Sequence, residues 1–427
     1  MKGTEVIGSN FYFGGCDTVK LAKKYGTPLY VMSEDYICER CKEIREDFLG
    51  KYENTRAVYA SKAFLTLEMC RIIEREGLGI DVVSGGELYT AIKAGFPMEK
   101  VIFHGNNKTI DEIELAVKNN VGRMVVDNLY ELELLNSVAQ AFGKTMKILF
   151  RITPGVDSHT HKYISTGQID SKFGIPLKGN IINEAIKRAM DASHIELMGF
   201  HFHVGSQLFD NESHIKAVKI LVELMKNMKE EEGFITKELN TGGGFGIYYA
   251  EGDEPKPLKY FTDAVMETIK EECEEKGLWM PQVIIEPGRW MVGEAGITLY
   301  TVGSIKEIPG VRTYVGINGG LPDNPRPALY DAKYEAVVAN KMDQEKNSLV
   351  TIAGKCCESG DILRYDLKVP ILESGDILAV KSTGAYNYSM ASNYNKIPRP
   401  AVVMVKGGED RTIVKRETYE DLLRNEL

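Results

Sequence analysis

The sequence predicts an α/β chain: a parallel (β/α)8 barrel of the TIM type with a second, all-β C-terminal domain. Three observations predict it. Eight short apolar runs alternate with amphipathic stretches between about residues 55 and 290. Strand–helix alternation builds parallel sheets, and eight units in about 235 residues match a closed barrel. Beyond about residue 295 the runs become short, rich in β-formers and separated by Gly, Pro, Asp and Asn clusters, the pattern of an all-β domain. A doubly wound open sheet is the alternative reading of the first part.

The barrel strands are read, in order, from TRAVYA (55–60), GIDVV (79–83), KVIFH (100–104), RMVVD (123–127), KILFRI (147–152), ELMGFHFHV (196–204), KELN (237–240) and PQVIIE (281–286). Helical periodicity lies between most of them, as in DEIELAVKNN, LYELELLNSVAQAF, NIINEAIKRAMDA and ESHIKAVKILVELMKNMKE. The later strands are ITLYTVGSI, TYVGI, YEAVVA, SLVTIAG, DILAVKS and AVVMVK. TPLYVMS (27–33) reads as a strand preceding the barrel, with a partner the sequence does not fix. The expected domains are therefore a barrel over 35–294 and a β-rich domain made of 1–34 and 295–427.

A chain of 427 residues, 43% hydrophobic, exceeds what one core usually holds and so divides. Its net charge of −9 argues against nucleic acid as the main partner. No apolar run reaches the ~18–20 residues that span a bilayer, and the N-terminus lacks a signal-peptide core. A cytoplasmic protein with no membrane partner is expected. Seven cysteines, an odd number, read as free thiols. Cys38 and Cys41 form a lone CxxC on a helical stretch, without the second pair or histidines that a zinc site needs. No metal site is expected.

Active sites of such barrels lie at the C-terminal ends of the strands. Polar and glycine residues gather there: Lys62 after the first strand, Ser84, Gly85 and Gly86 after the second, then His104, Asp127, Arg151, His203, the glycines 242, 243 and 244, and Glu286. Singly these are weak signals. TGGGFG is neither a Walker loop nor a dinucleotide fingerprint. Three consecutive glycines can either expose N–H groups to one phosphate or form a flexible turn. EPGRW (286–290) places a carboxylate beside an arginine, and AGKCCESGD (353–361) places Cys and Glu together without structural need.

YASKA, DVVSGGEL, HGNNK, RITPGVDSHTHKYISTG, KFGI, HFHVGSQ, GGGFGI, EPGR, RPALY, CCESGD and GAYNYSMASNYN follow one another over nearly the whole chain. In these pieces the sequence resembles the fold-type III pyridoxal-phosphate decarboxylases, whose barrel is alanine-racemase-like, and among them the diaminopimelate decarboxylases. HTHKYISTG and the pairing of CESGD with GAY are the most specific.

The resemblance implies the cofactor pyridoxal 5'-phosphate, with Lys62 its covalent anchor. It places Glu286 at the pyridine nitrogen and His203 on the ring face. It gives the phosphate to Ser206, Gly242, Gly243, Gly244 and Tyr386, with Gly288 and Arg289 completing the cofactor-binding set. The implied reaction is decarboxylation of meso-2,6-diaminopimelate at its D-centre to L-lysine and CO2. Its distal carboxylate suits Arg289 and Arg326 with Tyr330 beside them, and Tyr386 is also expected at the substrate. Glu358 suits the distal ammonium. Cys357 is the implied proton donor after CO2 leaves. Cys356 is its neighbour, and adjacent strand residues face opposite ways, so one alone enters the site; the family register selects Cys357. The resemblance also implies a homodimer with shared active sites, the Cys-Glu segment reaching the partner's barrel. Decarboxylases of ornithine, lysine, arginine or carboxynorspermidine share these features and are the alternative. A racemase is disfavoured by CESGD, and a PLP carrier by retention of the lysine, the acid and the second domain.

Overall fold

The structure is a computed structural model, and it describes residues 2–156 and 170–427. The chain divides into two compact units. One comprises Met1–Arg40, Ile247–Asp253 and Met291–Leu427; the other comprises Cys41–Gly246 and Glu254–Trp290.

The second of these is the barrel. Its strands are β1 (Thr55–Ala60), β2 (Gly79–Val82), β3 (Val101–Phe103), β4 (Arg123–Val126), β5 (Met146–Thr153), β6 (Ile195–His201), β7 (Glu238–Asn240) and β8 (Gln282–Ile285). Each pairs in parallel with the next, and β8 pairs with β1 to close the ring. All eight expected runs are strands. Val58, Ile102, Val125, Leu149, Met198 and Ile284 form one buried cluster drawn from six strands. Strands on opposite sides of a ring can share a cluster only inside it, so these residues fill the barrel interior.

Helices follow the strands because the turns carry capping residues. Ser84 accepts the Glu87 N–H at the start of Gly85–Ala94. Thr109 and Glu112 form a reciprocal capping box at Ile110–Lys118, and Asn128 caps Leu129–Ala141. Such caps satisfy N–H groups that the first turn of a helix leaves unpaired. Ser84 thus has a structural reason for its place on the rim. The periodic segments 180–192 and 212–230 are the helices Ile181–Asp191 and Glu212–Glu232.

In the other unit, Leu29–Ser33 supplies the partner the sequence left open. It lies between Gly296–Ile308, antiparallel, and Ala401–Lys406, parallel. The 13-residue strand Gly296–Ile308 pairs with Ile377–Val380 over its first half and Arg312–Ile317 over its second, with a register shift between Val302 and Ile305. Six expected runs form strands. Five more among the described residues of this unit were not read from the sequence: the N-terminal strands Thr4–Ile7, Asn10–Phe13 and Cys16–Asp17, and also Ile362–Val369 and Glu409–Val414. The last returns from Ala401–Lys406 through Gly407 and Gly408, at φ 56° and 83°, the left-handed pair of a two-residue hairpin turn. Phe13, Leu29, Val31, Leu299, Val403 and Val405 belong to this unit's apolar core. No helix among the described residues is long and apolar enough to cross a membrane.

Candidate active site

At the C-terminal end of β1 the chain turns through Ser61–Ala63, and the Lys62 side chain stands exposed between buried neighbours. Two carboxylates fasten this turn. Asp81 Oδ1 accepts the Ser61 N–H at 3.1 Å, and Glu87 Oε2 accepts the Ser61 hydroxyl at 3.3 Å and the Val83 N–H at 2.7 Å. Asp81 is buried. Burial and the nearby Glu286 charge hold its carboxyl well above the usual range, against the pull of Lys62. The EPGR turn is interlocked with Lys62's: Ala60 N–H donates to Pro287 O at 3.1 Å, and a Cβ on Gly288 would lie 2.8 Å from the Ala60 Cβ.

Glu286, just beyond β8, lies in a buried polar cluster. Its Oε1 is 2.7 Å from His104 Nε2 and accepts from Asn240 Nδ2 at 2.6 Å; its Oε2 is 3.2 Å from His201 Nε2. Burial alone would raise Glu286, but the two imidazole partners hold it well below the ordinary carboxylate range. Burial lowers both histidines despite that carboxylate, His201 to about 4. The pair is therefore read as a carboxylate with neutral imidazole donors. His104, His201 and Glu286 also bring ligand-type atoms within 4.8 Å of one another; here those atoms are engaged with each other.

His203 is half-buried, and its imidazole is held well below its usual pKa by burial and then by the Lys62 charge. Its Nδ1 accepts the Gly243 N–H at 3.4 Å. The glycine turn is packed. Added Cβ atoms would lie 2.7 Å from Phe202 O at Gly242, 2.1 Å from Glu286 O at Gly243 and 2.2 Å from Gly205 O at Gly244, and φ is +70° at Gly242 and +101° at Gly244. Only glycine fits such positions. The Gly242 N–H is taken by Asn240 Oδ1 at 3.0 Å. Two of the three N–H groups expected to face a phosphate therefore have protein acceptors. Ser206 Oγ accepts from Arg289 Nη2 at 3.0 Å, and Arg289 is buried.

The other unit carries a second cluster. Arg326 is buried at the start of the short helix Arg326–Tyr330 and donates from Nη1 to Tyr334 Oη at 2.5 Å. Its guanidinium carbon lies 5.1, 5.9, 5.7 and 6.0 Å from the ring centres of Tyr249, Tyr330, Tyr334 and Tyr386. Those are cation–π distances. Tyr386 has φ 67°, left-handed for a bulky residue.

One expectation is corrected here. Cys356 and Cys357 are not on a strand: Ser348–Ala353 ends before them, and they lie in the following loop. Opposite strand faces therefore do not separate them. Asp361 Oδ2 accepts the Cys356 N–H at 2.9 Å, and burial with Asp361 pushes the Cys356 thiol up to about 12. Cys357 is exposed, its N–H bonded to Asn395 Oδ1 at 2.9 Å. Glu358 is also exposed. HTHKYISTG falls at 159–167, outside the described residues.

Sequence reasoning missed Asp81, Glu87, His201, Asn240, Tyr249 and Tyr334. Signals existed for two of them. Asp81 is a charge within an otherwise apolar strand. His201 precedes His203 by two residues, the spacing that puts both on one face of an extended chain.

The barrel residues suit the cofactor implied by the sequence. A glycine cradle admits no side chain, a buried carboxylate keeps its charge, and an exposed lysine stands one turn beyond the neighbouring strand. The chain matches a family model described as pyridoxal-dependent decarboxylase, pyridoxal binding domain, over residues 34–293. It is 50% identical to a diaminopimelate decarboxylase of Bacillus subtilis, over 97% of this chain and 94% of that protein. To one of Staphylococcus aureus it is 44% identical, over 96% of each. The crystal structure of diaminopimelate decarboxylase from M. jannaschii in co-complex with L-lysine superposes with a TM-score of 0.93 at 38% identity, covering 100% of this chain and 98% of that one. The chain thus belongs to the diaminopimelate decarboxylase family of pyridoxal-dependent decarboxylases.

Proposed function

We propose that this enzyme decarboxylates meso-2,6-diaminopimelate at its D-centre, giving L-lysine and CO2. One observation carries the choice of substrate: a buried arginine, Arg326, ringed by four tyrosines. A guanidinium with such neighbours suits a second carboxylate at the far end of an amino acid. Precursors of simple diamines have no such group. The L-lysine held by the M. jannaschii relative is the product this reaction would leave.

Pyridoxal phosphate, when bound, supplies the sink for the electron pair of the breaking Cα–carboxylate bond. Lys62 Nζ would be its covalent anchor. Glu286 would keep a proton at the ring nitrogen, and His203 would cover the ring face. Ser206, Gly244, Gly288, Arg289 and Tyr386 would hold the remainder of the cofactor, and Gly242 and Gly243, whose N–H groups have protein acceptors, would give it room by carrying no side chain. Arg326 and Tyr330, with Arg289 and Tyr386, bind the distal carboxylate, and Glu358 the distal ammonium. The Cys357 thiol delivers the proton to Cα once CO2 has left. We place the enzyme in the cytoplasm as a homodimer whose Cys-Glu segment serves the partner's site.

Substrate profiling of the purified enzyme tests the choice. Lysine is expected from meso-diaminopimelate, with no turnover of ornithine, lysine, arginine or carboxynorspermidine. Arg326→Ala should raise KM for diaminopimelate on the order of a hundredfold, as loss of a charged hydrogen-bonded contact implies. Equal turnover of a diamine precursor by the wild type would favour the alternative family reading. Mixing Lys62→Ala with Cys357→Ala protein should restore activity if sites are shared, and leave none if each subunit is self-sufficient.

A further inference from the structure

We infer that His104, His201 and Asn240 are positioning residues for Glu286, filling three of its four lone-pair positions with uncharged donors and leaving the fourth, on Oε2, for a cationic N–H. The inference rests on the reading of Glu286 as the partner of the cofactor ring.

A carboxylate has about four acceptor positions and no donor. Among the described residues, Oε1 faces two nitrogens, His104 Nε2 at 2.7 Å and Asn240 Nδ2 at 2.6 Å, whereas Oε2 faces one, His201 Nε2, at 3.2 Å. Because the carboxylate can only accept, both imidazoles must carry hydrogen on Nε2. His201 Nδ1 is buried without a hydrogen-bond partner among the described residues. A bare lone pair there costs less than a buried unpaired N–H, so the same tautomer follows independently. The orientation of Asn240 is fixed as well: its Oδ1 accepts the Gly242 N–H, which turns its Nδ2 toward Glu286. Glu286 N–H in turn donates to Gly242 O at 2.7 Å, and His104 N–H to Val82 O at 2.8 Å.

The charge of the donors matters. A lysine or arginine in their place would neutralise Glu286 with a fixed cation. The two imidazoles lie 4.7 Å apart, centre to centre, at 68°, and burial keeps both from protonating. Neutral donors orient the carboxylate and stabilise its ionised form without adding a cation of their own at its oxygens; the Arg151 guanidinium also acts on Glu286 electrostatically. An ionised carboxylate is the condition for holding a proton on an opposed ring nitrogen, where a neutralised acid would not.

The test has two readouts. Side-chain 15N NMR of the cofactor-free wild type at pH 7 should show His104 and His201 as neutral Nε2–H tautomers. A cationic imidazole, or hydrogen on Nδ1, would overturn the inference with no mutation made. Equilibrium binding of pyridoxal phosphate is then compared for wild type, His104→Leu and His104→Gln, each checked for folding by thermal melt. His104→Leu should weaken binding on the order of tenfold and lower kcat more than it raises KM, since it removes a charge-assisted donor. His104→Gln, which keeps a side-chain N–H, should recover most of the loss. The same pair at His201 covers the case in which His104→Leu does not fold. Unchanged binding and kcat in the leucine variants would overturn the inference. Wild type that fails to bind the cofactor at all would instead sink the underlying reading.

Discussion

Asp361 accepts the N–H of Cys356 at 2.9 Å and that of Leu321 at 2.7 Å, and its own N–H donates to Glu358 O at 3.1 Å. It is buried, and a Cβ on Gly354 or Gly320 would strike its carboxylate. One side chain therefore ties the Cys-Glu loop to the segment leading into Arg326. It also gives two adjacent thiols different surroundings. Cys356 is tied to a carboxylate that keeps its proton on, while Cys357 is exposed. Cys356→Ser should accordingly leave turnover within a few-fold of wild type, whereas Cys357→Ala should lower kcat on the order of a hundredfold or more, the usual size of a general-acid contribution. Steady-state kinetics of the two variants decides it, and the reverse ranking would assign the donor to Cys356. The family resemblance implied Cys357 by its register in a motif. The closure of this loop by Asp361 was hidden, because a short loop closed by a side chain leaves no periodic trace.

At the scale of elements, Lys108 shows how a turn is held. Its Nζ donates to Glu131 Oε1 at 2.6 Å, to Val125 O at 2.8 Å and to Gly105 O at 2.9 Å, and both side chains are buried. The pair links the turn after β3, which carries His104, to the helix after β4. Removing one partner strands a charge in the interior. Lys108→Met should destabilise the protein by about 3–5 kcal/mol, and Lys108→Met with Glu131→Leu should recover much of that; denaturant unfolding of both variants is the check. Strands and helices were legible because hydrophobic periods of 2 and 3.6 are written locally. Ile362–Val369 escaped because its exposed positions include Tyr365, Asp366 and Lys368, which break an apolar reading. Glu409–Val414 escaped despite its Gly-Gly turn, since EDRTIV opens with three charged residues.

For the molecule as a whole, the two units contain buried acids shifted in opposite directions. Asp323 is raised to about 7 from 3.8 by burial, against the pull of the Tyr300 hydroxyl that bonds it. Between those values the folded protein keeps a proton that the unfolded chain has released. Stability from this group is therefore full at low pH and is lost as pH rises through about 7. Glu286 is lowered, so its contribution is present above its unfolded value near 4.5 and is lost on acidification. Asp323→Asn should flatten the fall in Tm from pH 5 to pH 8, while leaving the acid limb in place. Melting curves at intervals across that range measure it, and a slope unchanged from wild type would show that Asp323 is ionised in the folded state at pH 5.

By itself the sequence determined the barrel, the β-rich remainder, the family and the rim positions, because each is written in local periodicity or contiguous motifs. It did not determine what stands behind those positions. His104 and Glu286 are 182 residues apart, and Asn240 is 46 residues from Glu286. They touch only because the ring closes and β3, β6, β7 and β8 end at one mouth. Tyr249 joins Arg326 only because 247–253 packs with the β-rich unit and not with the barrel that flanks it in sequence. Contacts of that range depend on how strands register around a closed sheet, which is set by packing many residues at once and is recorded in no single stretch of chain.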